Sequence, residues 1–399
     1  MNRRILISGA SIAGPALAFW LARFGFSPTV VERAPRLREG GNGVDVRGQA
    51  VHVAERMGIL PLVRATAADV VGLSFVDGAN RSVARLDLRA IQRRAGDADV
   101  EIMRGDLAAI LHEATRNDVE YVFDDSIRRM DQDDDGVTVT FERGPTRRFD
   151  LVVGADGTHS TVRRLAFGPE SGFLTHLGHH FAFAEADPGL GEKRWVTLYN
   201  LPGRAVSIYR SGNHPGAKVH FMFRSRPLTY DHRDVEQQKR LLTEAFTDVP
   251  WLVPELLAGA LADPDFYFDS LSQVRMPSWS SGRVALAGDA AHCASPAAGA
   301  GATLSLVGAY RLAGELSSAA GDHRVAFHRY EQGYRKTVER HQSNLFLGLL
   351  APKSRPGIWA RNTMARLPVL GALAGVEGRL QPRTPPLPDY GPAAGSPRT

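Results

Sequence analysis

The stretch RILISGASIAGPALAFWLARFGFSPTVVE, Arg4–Glu32, decides the fold. Ile5, Leu6 and Ile7 form the short apolar run of a buried strand. Gly9-Ala10-Ser11-Ile12-Ala13-Gly14 follows, a G-x-S-x-x-G variant of the dinucleotide-binding fingerprint. Ala16, Leu17, Trp20, Leu21 and Phe24 then recur at helical spacing, and Gly25 reads as the helix stop. Thr29-Val30-Val31 is a second strand ending in Glu32, where the fingerprint expects a ribose-binding carboxylate. Gly9 permits the tight turn, and Gly14 lets helix and strand approach closely. Ser11 stands where a second glycine usually admits the pyrophosphate; its hydroxyl can bond a phosphate or cap the helix. A lone glycine motif is weak evidence, but here it follows a strand, opens a helix and ends in an acidic residue.

Two later segments repeat the strand–glycine-turn layout. In GRVALAGDAAHCASPAAGAG, Gly282–Gly301, the apolar run Val284–Ala287 ends in Gly288-Asp289, and a helix is expected from near Ala302. This places a carboxylate at a strand end and turns unpaired helix N–H groups toward whatever lies beside them. In FDLVVGADGTHSTVRR, Phe149–Arg164, a strand ends in Gly154-Ala155-Asp156-Gly157, and Ser160 can cap the next helix. Taken alone, Asp156 reads equally as an ordinary Asp-Gly turn residue.

With the three motifs in this order, the chain resembles the group A flavoprotein monooxygenases of the para-hydroxybenzoate hydroxylase fold. GASIAG, GADG and LAGDAAHCASPAAGAG match that family's three motifs, and the resemblance spans most of residues 3–350. The wording is closest to the tetracycline-oxygenase and antibiotic-tailoring branch. The resemblance implies an α/β fold with a Rossmann-like FAD-binding domain, an antiparallel sheet that binds substrate, and C-terminal helices. It implies FAD as cofactor and NAD(P)H as a transient co-substrate. Glu32 would bind the adenosine ribose, with Arg33 near the adenine side. Gly9, Ser11, Ile12 and Gly14 would flank the pyrophosphate. GNGVDVRG, Gly41–Gly48, would pass the flavin ring and place Asp45 near it. Arg104 would contact the cofactor, Asp156 would serve FAD and the pyridine nucleotide, and Asp289 would bond the ribityl chain. Pro296, Gly299, Gly301, Ala302 and Thr303 would frame the ring edge. One departure is visible: Ala297 and Ala298 follow Pro296 where the family often has phenylalanine, which widens the space at the ring.

The implied reaction is hydroxylation of an aromatic or polyketide-like small molecule by O2 through a C4a-hydroperoxyflavin, in secondary metabolism or antibiotic modification. Epoxidation and Baeyer–Villiger insertion use the same chemistry and are not separated by the sequence. A halogenase of this fold is set aside because no GWxWxIP segment is present. The alternatives are a flavin reductase or dehydrogenase without oxygen transfer, and a non-catalytic flavin or ligand binder. No protein nucleophile or metal is required; His292 and Cys293 read as a packed turn, and the chain has 1 cysteine.

The 399 residues are 43% hydrophobic with a net charge of +5, mostly from arginine. The charge is dispersed and not interleaved with stacking aromatics, which argues against nucleic-acid binding. The cysteine count and the immediate entry into a strand point to the cytoplasm. No run reaches membrane-spanning length; Leu345–Ala351 is too short. Monomer and homodimer are equally compatible. Domains are expected over 1–171 with 271–350 for FAD, 172–270 for the substrate sheet, and 351–399 for terminal helices and a disordered proline-rich tail from Gln381. Phe181–Phe183, Trp195–Tyr199, Ala205–Tyr209 and Val219–Phe223 read as strands, and Val235–Phe246 as a helix. Tyr199, Tyr209, Met222 and Pro296 are the substrate-binding candidates, although alternation alone does not say which sheet face is inward. The cluster Asp131, Asp133, Asp134 and Asp135 lacks a calcium-loop pattern and precedes GVTVTF, so it reads as a hairpin turn.

Overall fold

Three apolar strands buried on both faces make a parallel sheet, as their unbroken hydrophobic runs require. In the computed structural model, which describes residues 3–38, 41–90, 99–187, 189–343, 350–366 and 386–391, this sheet has six strands. Their order is Ser280–Ser281, Val284–Leu286, Leu151–Gly154, Arg4–Ser8, Ser27–Glu32, Glu120–Phe123. Every neighbouring pair is parallel except the first. Ser8 pairs with Gly154, and Gly154 with Leu286, so the three strands end at one level. The three glycine turns therefore emerge side by side at the carboxyl edge, where open α/β sheets bind ligands.

The helix Ala13–Arg23 packs against Gly301–Ser318, and both are buried along most of their length. The close approach of Ala13–Arg23 to the strand before it depends on Gly14, where a Cβ would overlap the Gly9 carbonyl oxygen. Gly9 itself takes φ +107°, a conformation that glycine alone adopts cheaply.

A second sheet has seven strands: Tyr267–Val274, Leu174–Ala186, Ala217–Arg224, Arg204–Tyr209, Trp195–Leu201, Gly72–Val76, Ser82–Asp87. All pairs are antiparallel except Trp195–Leu201 with Gly72–Val76. The expected span of 172–270 thus falls short. Two strands come from 72–87, inside the stretch assigned to FAD, and the edge strand runs on to Val274. Val235–Phe246 and Val253–Ala262 cover one face, burying Phe221, Phe223, Val206 and Ile208. The acidic hairpin forms as read: Ile127–Gln132 pairs with Val137–Phe141, and Asp133 holds the turn.

A long helix, His323–Ser343, follows; residues 344–349 lie outside the described residues. A helix Arg355–Arg366 lies on the outer strands, with the Arg361 guanidinium 4.2 Å from the centroid of Phe75. Most of the tail from Gln381 lies outside the described residues. The expectation of disorder fails at 386–391, because Tyr390 has a docking place: its hydroxyl donates to Glu315 Oε1 at 2.9 Å, and its ring lies over Gly314. Among the described residues no helix is long and apolar enough to cross a membrane.

Candidate active site

The crevice is built where the first and third glycine turns meet. Gly288, at φ +59°, packs against Ala13, so the turn that carries Asp289 leans on the helix that starts after the first motif. Neither Ala13–Arg23 nor Gly301–Ser318 has a side-chain cap at its N-terminus. Their first N–H groups stay open to an anion, which a helix dipole favours by about 0.3–1 kcal/mol or more. Arg104 brings the opposite charge. Its backbone N–H donates to the Asn42 carbonyl at 2.9 Å and its guanidinium to Ser11 Oγ at 2.9 Å. Burial pushes the Asp289 carboxyl up; the Arg104 charge opposes this. Glu32 accepts the N–H of Ala10 at 2.8 Å on one oxygen and that of Ala34 at 2.9 Å on the other. Each oxygen keeps a further acceptor position for a ribose hydroxyl. Arg33 is exposed beside it. Two uncapped helix ends, a glycine cradle, an exposed arginine and carboxylates at both ends fit an extended dinucleotide.

The loop read as passing the flavin ring is a strand, Gly43–Val46, paired with Val100–Met103. Asp45 meets the third motif directly: the Thr303 hydroxyl donates to its carbonyl at 2.9 Å. A Cβ on Gly299 would come 3.3 Å from Asp45 Oδ2. Pro296 and Gly299 are exposed at the rim, Gly301 is half-exposed and Ala302 is buried. The structure thus brings Ser11, Arg104 and Asp289 together on one side of the crevice, and Asp45, Gly299 and Thr303 on the other.

Asp156 is used differently. Its carboxylate accepts from Ser160 Oγ and from the Val162 N–H at 3.1 Å, and Ser8 Oγ lies 3.4 Å away. It thus secures the start of Thr161–Phe167, and burial pushes its pKa up. The same turn projects His159 toward the second sheet. One ring nitrogen lies 2.9 Å from Glu170 and the other 3.1 Å from Asp269. His159, Glu170 and His232 have donor atoms within 4.8 Å of one another. Both His159 nitrogens already face carboxylates, the arrangement of an imidazolium clamp rather than of a metal ligand.

Strand parity decides which sheet residues can meet a substrate. Phe181 and Phe183 lie opposite Met222 and His220, and these opposite Ala205 and Ser207. Tyr209 continues that face, and its hydroxyl reaches Glu101 on the flavin-loop ribbon. Tyr267, cross-strand from Phe183, is within electrostatic reach of Arg104. The uncovered face therefore looks toward the crevice. Tyr209 and Met222 lie on it. Tyr199 does not: it has the opposite parity and packs on Trp251, ring centroids 5.1 Å apart, on the helix-covered side. Phe183, His220, Tyr267 and Glu101 were missed by sequence reading; the parity of Met222 and Tyr209 would have pointed to His220.

The family profile described as FAD binding domain matches residues 2–331. The chain belongs to that family. It is an FAD-dependent monooxygenase of the para-hydroxybenzoate hydroxylase fold. An uncharacterised protein of Mycobacterium tuberculosis is 42% identical over 341 residues, covering 85% of this chain and 92% of its own. A flavin-dependent monooxygenase of Legionella longbeachae is 40% identical over 341 residues, covering 86% and 87%. Among solved structures, tetracycline destructase Tet(51) superposes with a TM-score of 0.82 at 36% identity, covering 95% of this chain and 98% of that one. When bound, FAD supplies the redox chemistry that activates O2; the monooxygenase supplies the crevice and the aromatic face opposite it.

Proposed function

We propose that this monooxygenase inserts one oxygen atom into a planar, polycyclic aromatic or polyketide-like molecule, with NAD(P)H as electron donor, in cytoplasmic antibiotic modification or tailoring. One observation carries the reading: Arg104, bonded to Ser11 and coupled to Asp289, is within electrostatic reach of Tyr267 on the uncovered sheet face, whose Tyr209 bonds Glu101. The similarity to a tetracycline destructase supports the ring-system class. Ala297 and Ala298 leave room at the rim for a wide ligand. In this reading Asp289 bonds the cofactor, Glu32 its ribose, and Tyr209, Met222 and Pro296 bound the substrate space.

The test is NAD(P)H oxidation and O2 uptake by FAD-loaded protein across a panel of polycyclic phenols including tetracycline, with isotopically labelled O2. The expected result is ligand-stimulated turnover with one labelled oxygen in the product. NAD(P)H oxidation that no ligand stimulates, with no label transferred, would overturn it. Asp289→Ala tests the cofactor site separately. It is expected to weaken FAD about tenfold or more, as loss of a charged hydrogen bond does, measured by fluorescence titration; undiminished affinity rejects that assignment.

A further inference from the structure

The ribbon Gly43–Val46/Val100–Met103 sets Asp45 directly opposite Glu101. Such cross-strand partners have Cβ atoms about 5 Å apart, and like charges there repel. Among the described residues, the charged groups around the pair can be named. Arg47 lies 2.8 Å from Asp45 and 4.0 Å from Asp99, at the solvent end of the ribbon. The substrate sheet contributes Tyr209, whose hydroxyl donates to Glu101 Oε1 at 2.9 Å. The helix Gly301–Ser318 contributes only the Thr303 hydroxyl, bonded to the Asp45 backbone. Gly43 has no side chain, and a Cβ there would overlap the Glu101 carboxylate. Among the described residues, one guanidinium thus serves three carboxylates, two of them largely buried. Burial pushes both Asp45 and Glu101 up; Arg47 opposes the rise at Asp45, and the Asp45 charge raises Glu101 further.

We infer that Asp45 and Glu101 hold one proton between them and that it is the proton consumed at each turnover. The role of the proton rests on the monooxygenase reading; its presence does not. The overall reaction is balanced as aromatic C–H, O2, NAD(P)H and H⁺ giving C–OH, NAD(P)⁺ and water. The pair gives its proton to the oxygen atom that leaves as water and becomes doubly ionised. Its mutual repulsion then draws a proton back from solvent past Arg47 and Asp99, whose side chains are 48% and 43% exposed. Tyr209 joins the pair to the substrate face, so a bound ligand touches the same network.

Carbon-13 NMR of FAD-loaded protein labelled at Asp and Glu carboxyls reads the proton without turnover. Signals lost in Asp45→Asn and Glu101→Gln are expected to titrate as a coupled pair, the upper midpoint above the ordinary carboxylate range. Asp45→Asn should lower the Glu101 midpoint by about one pH unit, tenfold in proton affinity. Tyr209→Phe, on another element, should raise it by removing a bond to the charged form; this keeps the test decisive if Asp45→Asn misfolds. In turnover, the alkaline fall of kcat should share the upper midpoint and vanish in Glu101→Gln. Midpoints both within the ordinary carboxylate range, or a Glu101 midpoint unmoved by either neighbour, overturn the shared proton. A coupled pair whose kcat profile is unchanged in Glu101→Gln overturns its delivery. If the pair titrates as expected but no ligand stimulates oxygen uptake, the monooxygenase reading fails and the proton pair stands.

Discussion

His220 shows how a single residue can carry recognition. Its Nε2 is buried without a partner among the described residues, while Phe183 presses edge-on with ring centroids 4.7 Å apart. Tyr209 stacks on it at 6.1 Å. A buried polar atom left unpaired costs about 1–3 kcal/mol, a cost that a ligand's hydrogen bond removes. Burial pushes the imidazole from 6.5 down to about 4, so it is neutral at neutral pH and can donate or accept. His220→Leu is expected to raise KM about tenfold with a smaller change in kcat, the size of one lost hydrogen bond. Unchanged KM in steady-state kinetics would remove His220 from the substrate wall. The pH dependence has a definite sign. A depressed histidine contributes stability that is present above 6.5 and lost as pH falls toward about 4. Thermal melts of His220→Leu should therefore fall less steeply than wild type over that window.

At the scale of elements, the turn after Leu151–Gly154 ties the two sheets together. Burial alone would lower the His159 pKa, but its bonds to Asp269 and Glu170 outweigh burial and raise it from 6.5 to about 9. Burial likewise raises Asp269 and Glu170, and the bonds to His159 outweigh it, so both end below their ordinary values of 3.8 and 4.5. The raised histidine contributes stability fully present below 6.5 and lost as pH rises through about 9. The lowered carboxylates contribute stability present above their ordinary values and lost as acid protonates them. His159→Leu should cost about 1–3 kcal/mol near pH 6, discounted because the cluster is partly exposed. That difference should shrink toward about pH 9, read from chemical denaturation at several pH values; a constant difference would show that no charge is involved. The reach of this turn was not legible in the sequence. GADG was, because a strand, two glycines and a capping serine are local. Asp269 lies on a strand far along the chain, and nothing local marks it as the partner of His159. The same reason hid Gly72–Val76 and Ser82–Asp87, whose place depends on a parallel pairing with Trp195–Leu201. The face occupied by Tyr199 was hidden too, because parity becomes inward or outward only once Val235–Phe246 and Val253–Ala262 choose a side.

At the scale of the whole molecule, the chain returns to the helix Gly301–Ser318 at its far end. The segment 386–391 lies on the helix Gly301–Ser318 and reaches Arg56. The Tyr310 hydroxyl donates to the Pro388 carbonyl at 2.9 Å, and Arg56 donates to the same oxygen at 3.1 Å. Tyr390 lies against Tyr310, ring centroids 5.2 Å apart, and Trp20 packs edge-on against Tyr310 from the other side at 4.8 Å. A proline-rich tail lacks the apolar content to form a core of its own; here one tyrosine supplies the anchor, and Gly314 leaves the space for its ring. Burying such a ring is worth about 1.5–3 kcal/mol. Deleting the chain from 386 onward should therefore lower Tm by about 2–4 °C, at about 1 °C per kcal/mol for a chain of 399 residues. The loss from removing this strap should appear in apoprotein and in FAD-loaded protein alike, because ligand binding adds its own stabilisation to both chains. Gly314→Ala should reproduce most of the effect with the tail intact, since its Cβ would occupy the place of the ring. A truncated protein that melts with the wild type in both forms would show that the strap rests on the surface without holding it.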